Sequence, residues 1–312
     1  DNYYYMYIGQ QDNTVGMQII FNVFKSIGFD FYTVHYLILI TFWFVVLWMI
    51  KVFCSNWHFP IMLMSIYYII ISADQIKNHT AFIFLCVAIV CLYREKKLKA
   101  IIFLTIATTI HYSFIVYFLM ILIPRKRANV VIKICVALST VFFIMMLFKV
   151  DFMIVNVLLR GLGNVLQADS MASIKLETYF TTRTNFGFLI CVAFQLLNYY
   201  LLKYSKILLN TYGDKWQVDI CDFALKVNEI GFIVFPLFLY NMQWYRIIRE
   251  LLLLNYCVYG NAYHCMKYSW LKRWRFLLIV LLSVIVWLVG DLCLKTKPEL
   301  VIIPFFTNNL FI

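Results

Sequence analysis

Arg246 and Arg249, in the run Trp244-Tyr245-Arg246-Ile247-Ile248-Arg249-Glu250, stand three residues apart, so on a helix both guanidinium groups share one face. Such a pair suits a diphosphate, because each planar fork can grip phosphate oxygens bidentately and hold the charge of a departing group. The plainer alternative is a helix end whose long basic side chains snorkel, with Arg246 and Glu250 paired at i,i+4. A second cluster, Asp74, Lys77, Asn78 and His79, offers a proton acceptor, an anion clamp and two further polar contacts, or else is a polar turn between helices. His111 lies inside an apolar run with Thr109 and Ser113 two residues to either side, and is a base or a hydrogen-bonded packing group. Arg160 and Arg183 fall in a long polar stretch, 151–183, with enough charge to bind a sugar or head group or to serve as a solvated connection.

The elements that must position these groups are membrane helices. Apolar residues make up 64% of the chain and charged residues 13%, with a mean hydropathy of +0.83, which no soluble fold could bury. The apolar residues come in runs approaching the ~20 residues that span a ~30 Å hydrocarbon layer. These runs are Tyr32–Ile50, Phe59–Ala73, Thr80–Tyr93, Ala100–Pro124, Val130–Phe148, Asn185–Leu202, Val227–Asn241, Leu251–Met266 and Phe276–Leu292. The expected fold is all-α, a polytopic helical bundle of about eight to ten transmembrane segments with short broken helices. It divides into an amphipathic segment on the outer bilayer surface (1–31), a transmembrane domain (32–295) carrying the outer loop 151–183, and a short apolar tail (296–312).

The formal charge of +12 lies in short clusters between the apolar runs, where it sets topology. The lipid bilayer is therefore the expected surroundings, and no nucleic acid is expected as a partner. Placing Arg94–Lys99, Arg125–Lys133, Lys203–Lys226 and Lys267–Arg275 in the cytoplasm puts residues 1–31, 74–79, 151–183 and 241–250 outside. Arg246 and Arg249 then stand where the positive-inside rule does not ask for them. Ala100–Pro124 has basic flanks on both sides, so it is expected to enter and return as a broken hairpin around His111, with arms reaching ~16 Å deep.

The nine cysteines lie mostly in apolar runs with no C-x-x-C pair, and the five histidines lack metal-ligand spacing, so no metal and no cofactor is expected. Phosphate-loop, H-E-x-x-H and G-x-S-x-G motifs are all missing, which leaves chemistry on an already activated substrate.

These features in this order resemble the EpsG-like family of Wzy-type polysaccharide polymerases. The resemblance rests on Asp1–Tyr7 with Gly28-Phe29-Asp30-Phe31, on Asp74-Gln75-Ile76-Lys77-Asn78-His79-Thr80-Ala81, on His111-Tyr112-Ser113 and on Tyr245-Arg246-Ile247-Ile248-Arg249. Two positions depart from the family pattern: Lys77 stands where Arg is usual, and the stretch Thr14–Gly16 lacks an acidic residue. The resemblance implies a multi-pass protein of the bacterial cytoplasmic membrane. It would join undecaprenyl-diphosphate-linked oligosaccharide repeat units into capsular or exopolysaccharide at the outer face, with other capsule-assembly membrane proteins as further partners. Arg246 and Arg249 would stabilise the departing diphosphate, and Asp74 or His111 would take the acceptor proton. Lys77, Asn78, His79, Arg160, Arg183 and Tyr245 would bind substrate. A transporter of lipid-linked sugars and a membrane acyltransferase using His111 remain alternatives.

Overall fold

The computed structural model describes residues 4, 7–9, 14–67, 76–122, scattered positions between 130 and 145, 185–235, 242–266 and 269–294. Among the described residues every regular element is helical. Three helices are long and apolar enough to cross a membrane: Phe31–Phe53 (α2), Ile76–Tyr93 (α4), and the part of Trp270–Leu294 (α12) up to Gly290. The chain is an all-α membrane protein, as its composition requires.

The N-terminal helix α1, Val15–Ser26, buries Gly16, Met17 and Phe21 and leaves Val15, Ile19 and Val23 exposed along one stripe. Gly28 ends it at φ +91°, a conformation that glycine adopts without cost, and Asp30 then caps α2 by accepting the Thr33 backbone N–H at 2.7 Å. Tyr7 donates its hydroxyl to the Phe29 carbonyl and sets its ring 5.2 Å from Phe21 and 5.8 Å from Phe31. Tyr7 and Gly28-Phe29-Asp30-Phe31 therefore form a structural corner between α1 and α2.

After the short α3, His58–Ile66, comes the central helix α4, with 61% of its apolar span buried against 33% for α2 and 28% for α12. It runs parallel to α2: the Phe42 ring lies 4.7 Å from His79, and Phe53 lies 5.1 Å from Tyr93. Of the expected polar break 74–79, the described residues 76–79 are helical, which corrects the reading of that part as a turn. Lys77, Asn78 and His79 form the first turn of α4, because Ile76, Asn78, His79 and Thr80 are all buried against neighbouring helices.

A tight turn with Glu95 at φ 60° reverses the chain into α5, Lys97–Ile110, which packs along α4. α5 ends at His111, whose backbone is extended (φ −142°, ψ 108°), and a 3-10 helix, Tyr112–Phe118, packs against α5 before α6, Leu119–Leu122. The break at His111 is where the polar residues placed it. Its first arm is longer than expected: 14 residues give about 21 Å, which carries His111 toward the level of the α4 N-terminus. From Ala100 to Ile110 the arm has the expected 11 residues, and Lys97–Lys99 extend the helix at its start. A seven-residue 3-10 stretch is uncommon, and such stretches often mark functional positions.

α1 is clamped to the end of α5. Thr14 donates its hydroxyl to the Ile110 carbonyl at 2.6 Å, and a Cβ at Gly16 would lie 2.7 Å from Thr109 Oγ1 and 2.9 Å from the Ile110 backbone nitrogen. Backbone cannot yield as a side chain can, so Gly16→Ala is expected to lift α1 from α5. The expected cost is about 1–3 kcal/mol. A lower unfolding midpoint in detergent checks this, with exposed Val15→Ala as the substitution that leaves the midpoint unchanged.

Beyond the described gap, α7, Asn185–Tyr212, and α8, Lys215–Val227, lead through Asn228 into the short α9, Glu229–Ile233. A 3-10 turn, Met242–Tyr245, continues into the four-residue α10, Arg246–Arg249, then into α11, Leu252–Cys265, which is buried on every side from Leu252 to Ala262. α11 carries the polar locks of the core. Asn255 and Asn228 exchange amide hydrogen bonds at 2.7 and 3.1 Å, and Asn261 donates to the Phe53 carbonyl at 2.8 Å. Apolar helices packed together are held in register by such pairs.

Among the described residues, the basic stretches that follow Tyr93, that hold Lys206 and that hold Lys272 lie at one end. Phe53, Tyr93 and Phe223 meet there with ring centroids 5.1–6.1 Å apart, Lys206 pairs with Asp222, and Lys272 donates to Tyr212 at 3.1 Å.

Candidate active site

Away from that basic end, two pieces of chain bring their cations to a third that carries a histidine. The charges of Arg246, Lys77 and Arg249 all act on His111. Lys77 comes from the first turn of α4, His111 from the break after α5, and the two arginines from α10, which packs against the 3-10 helix that follows His111. Separations of 34, 135 and 3 residues along the chain are thus folded into one locus. Because the His79 ring lies against Phe42, midway along α2, α2 runs about 16 Å beyond that level, and Lys77 sits roughly 13 Å inside its N-terminal end. The site is recessed within the bundle.

Its members differ in exposure. Lys77, His111 and Arg246 are half-buried, whereas Asn78, His79, Tyr245, Arg249 and Glu250 are buried. His111 is oriented by Ser113, whose hydroxyl is 2.8 Å from Nδ1, leaving Nε2 as the nitrogen that Ser113 does not engage. A ring in that position can take a proton through Nε2 when the surrounding positive charge is compensated.

Behind the trio stands a buried assembly. Arg249 directs Nη2 and Nε at Glu250 Oε1, at 2.9 and 3.3 Å, and Nη1 at the Tyr245 hydroxyl at 3.3 Å. Both members of the ion pair are at most 2% exposed, so it is shielded from the screening that weakens surface pairs. Tyr245 is backed by Trp287 of α12 at 6.1 Å, and Trp287 by Phe194 and Tyr67. Tyr117 donates its hydroxyl to the Ile247 carbonyl at 2.8 Å, tying the 3-10 helix to α10, and its ring contacts Phe114, which contacts His111. The position of His111 and the position of the arginines are therefore mechanically joined.

Of the residues singled out in the sequence, Lys77, His111, Arg246 and Arg249 converge, with His79, Asn78 and Tyr245 close behind as buried supports. Asp74, Arg160 and Arg183, with the loop 151–183, lie outside the described residues. In the plainer helix-end alternative Glu250 would pair with Arg246; the buried ion pair it makes is to Arg249. Neighbours in sequence do not face each other within a regular helix, but α10 ends at Arg249 and Glu250 lies beyond it, where the two side chains can meet. Glu250 enters the sequence reading only as a partner for Arg246, and Tyr117 not at all. An acidic residue next to an intramembrane arginine was the available signal for the first. For Tyr117, one tyrosine among 22, there was none.

Chemically, the site can hold a strongly anionic group against several cations and place one imidazole beside it. Residues 1–297 match the family model described as the EpsG family. No curated protein and no solved structure matches the chain.

Proposed function

The chain belongs to the EpsG family, and from that premise we propose that it polymerises lipid-linked oligosaccharide repeat units at the outer face of the bacterial cytoplasmic membrane. The donor is a growing glycan on undecaprenyl diphosphate and the acceptor is a hydroxyl of the incoming repeat unit. The acceptor oxygen bonds to the donor's anomeric carbon, the bond from that carbon to the diphosphate oxygen breaks, and undecaprenyl diphosphate leaves with the electron pair. The acceptor proton passes to His111 Nε2, with Asp74 the other candidate base.

The observation that supports this reading is the convergence of Lys77, Arg246 and Arg249 around His111. A proton arriving on His111 meets three positive charges, an arrangement unfavourable for a base unless an anion sits among them. A bound diphosphate supplies that anion, so the base becomes competent when the donor is in place. The recess of the site within the bundle suits a substrate whose lipid stays in the membrane while its head group reaches inward.

Purified protein in lipid nanodiscs, given lipid-linked repeat units, is expected to yield a glycan ladder and release undecaprenyl diphosphate in equal number to the bonds formed. Absence of both products, together with movement of the lipid-linked unit across proteoliposome membranes, would replace this reading with transport.

A further inference from the structure

α7 and α12 pack side by side, with Tyr204 6.0 Å from Phe276 and Phe194 4.6 Å from Trp287. Along the edge of that seam, Lys272, Arg275, Ile279 and Leu282 follow one another on a single face of α12, at steps of three and four residues. All four are exposed. On the α7 side of the same seam, Tyr200 and Ile207 are exposed, with Tyr200 stacked on Tyr204. Two cations thus stand at the head of an apolar groove between two helices.

The groove has the dimensions of one membrane leaflet. The apolar span of α12 runs from Trp270 to Gly290, so Lys272 and Arg275 lie in its first two turns, between the exposed rings of Trp270 and Trp274 that suit the level of lipid head groups. From Lys272 to Leu282 the helix rises about 15 Å, half of a ~30 Å hydrocarbon layer. Lys272 is held in place there. Its Nζ donates to the Tyr212 hydroxyl at 3.1 Å and lies 5.6 Å from the centre of that ring, so a neutral partner on α7 fixes the charge without cancelling it. Among the described residues neither Lys272 nor Arg275 forms an ion pair, whereas Lys206, also at this end, is paired with Asp222. The positive-inside rule asks for charge at this level, but not for a lysine fixed by a second helix above an apolar groove.

We propose that this groove binds an anionic phospholipid, its phosphate on Lys272 and Arg275 and its acyl chains along Ile279, Leu282 and Tyr200. Arg275 offers the planar fork that grips phosphate oxygens, and Lys272 adds a second charge already in position. The bound lipid braces α12 against α7. That matters beyond the groove, because α12 sets Trp287 behind Tyr245, the ring that Arg249 Nη1 faces. The inference stands apart from the polymerase reading, since it concerns the other end of the bundle and a lipid that takes no part in the reaction.

The test is native mass spectrometry of protein released from nanodiscs made of equal parts phosphatidylcholine and phosphatidylglycerol. Wild-type protein is expected to retain phosphatidylglycerol in preference to phosphatidylcholine. Lys272→Gln/Arg275→Gln should lower that retention by about tenfold or more, at about fivefold for each cation removed near the membrane surface. Lys96→Gln/Lys97→Gln removes two exposed lysines from the same basic end and should leave retention unchanged. Equal loss in both double variants would mean that general surface charge holds the lipid, and the inference falls. No preference in the wild-type protein, or full retention by the groove variant, overturns it as well. Glycerol 1-phosphate should compete poorly; if it displaces the lipid as readily as phosphatidylglycerol does, the site takes a free phosphate and the lipid assignment is wrong. Should the double variant fail to fold, Arg275→Gln alone carries the test, because it is exposed and breaks no described contact. A loss of about fivefold is then expected, and undiminished retention overturns the inference.

Discussion

Arg246→Ala is expected to abolish long polymer in cells while the protein remains at its normal level in the membrane. Arg246 is the half-buried arginine of the pair and shares His111 with Lys77 and Arg249, so in the polymerase reading it meets the diphosphate directly. Removing one donor aimed at developing charge typically costs about a hundredfold to a thousandfold in turnover. Loss on that scale leaves single lipid-linked repeats accumulating on the outer leaflet. Arg246→Lys retains the charge but not the planar fork, and should recover only part of the rate. Arg246 is half-buried where Arg249 is fully buried against Glu250, so its loss should move the unfolding midpoint less than loss of Arg249 does. Normal polymer length from Arg246→Ala would remove α10 from the chemistry altogether, whatever the family assignment. Accumulation of repeats on the inner leaflet would instead mark a transport step.

The helical membrane fold was readable because it follows from bulk properties. α2 and α12 emerged within a few residues of the apolar runs that foretold them, since lipid requires an uninterrupted apolar surface and their exposed faces supply it. α4 was shortened in the sequence reading because hydropathy falls at Lys77-Asn78-His79. The helix nonetheless includes those residues, because a central helix faces protein on most sides and polar groups find partners there that lipid does not offer. The polar residues around His111 correctly marked a break, but not the length of the arm before it, which depends on packing against α4.

The same distinction governs the site. Residue type and placement outside the positive-inside pattern picked out Arg246, Arg249, Lys77 and His111, all of which gather at one locus. Their unequal exposure was not readable. Spacing says that Arg246 and Arg249 share a helix face, but α10 lasts only four residues, and the chain that follows turns Arg249 inward against Glu250 and Tyr245. The Asn228–Asn255 exchange was equally hidden, since each asparagine alone looks like an isolated polar residue in an apolar run and only the tertiary fold pairs them.

That inward turn makes Arg249 the place where stability and function can be pulled apart most sharply. Arg249→Met is expected to destabilise the protein by about 3–5 kcal/mol, because it leaves the Glu250 carboxylate buried at 2% exposure without its guanidinium. Arg249→Met/Glu250→Gln should restore most of that loss, since removing both charges also removes the desolvation penalty that each carries. Unfolding midpoints in detergent would show the double variant close to wild type and the single variant far below it. The two readings of the arginines then diverge in activity. If Arg249 serves only to anchor α10, the double variant should polymerise normally, because the fold is intact and Arg246 is still present. If Arg249 also holds the leaving diphosphate, the double variant should fold and yet lose about a hundredfold in turnover. Restored stability without restored polymer is the expected result. It follows from a cation that is buried with its own counter-anion and placed beside two others that an incoming anion can reach.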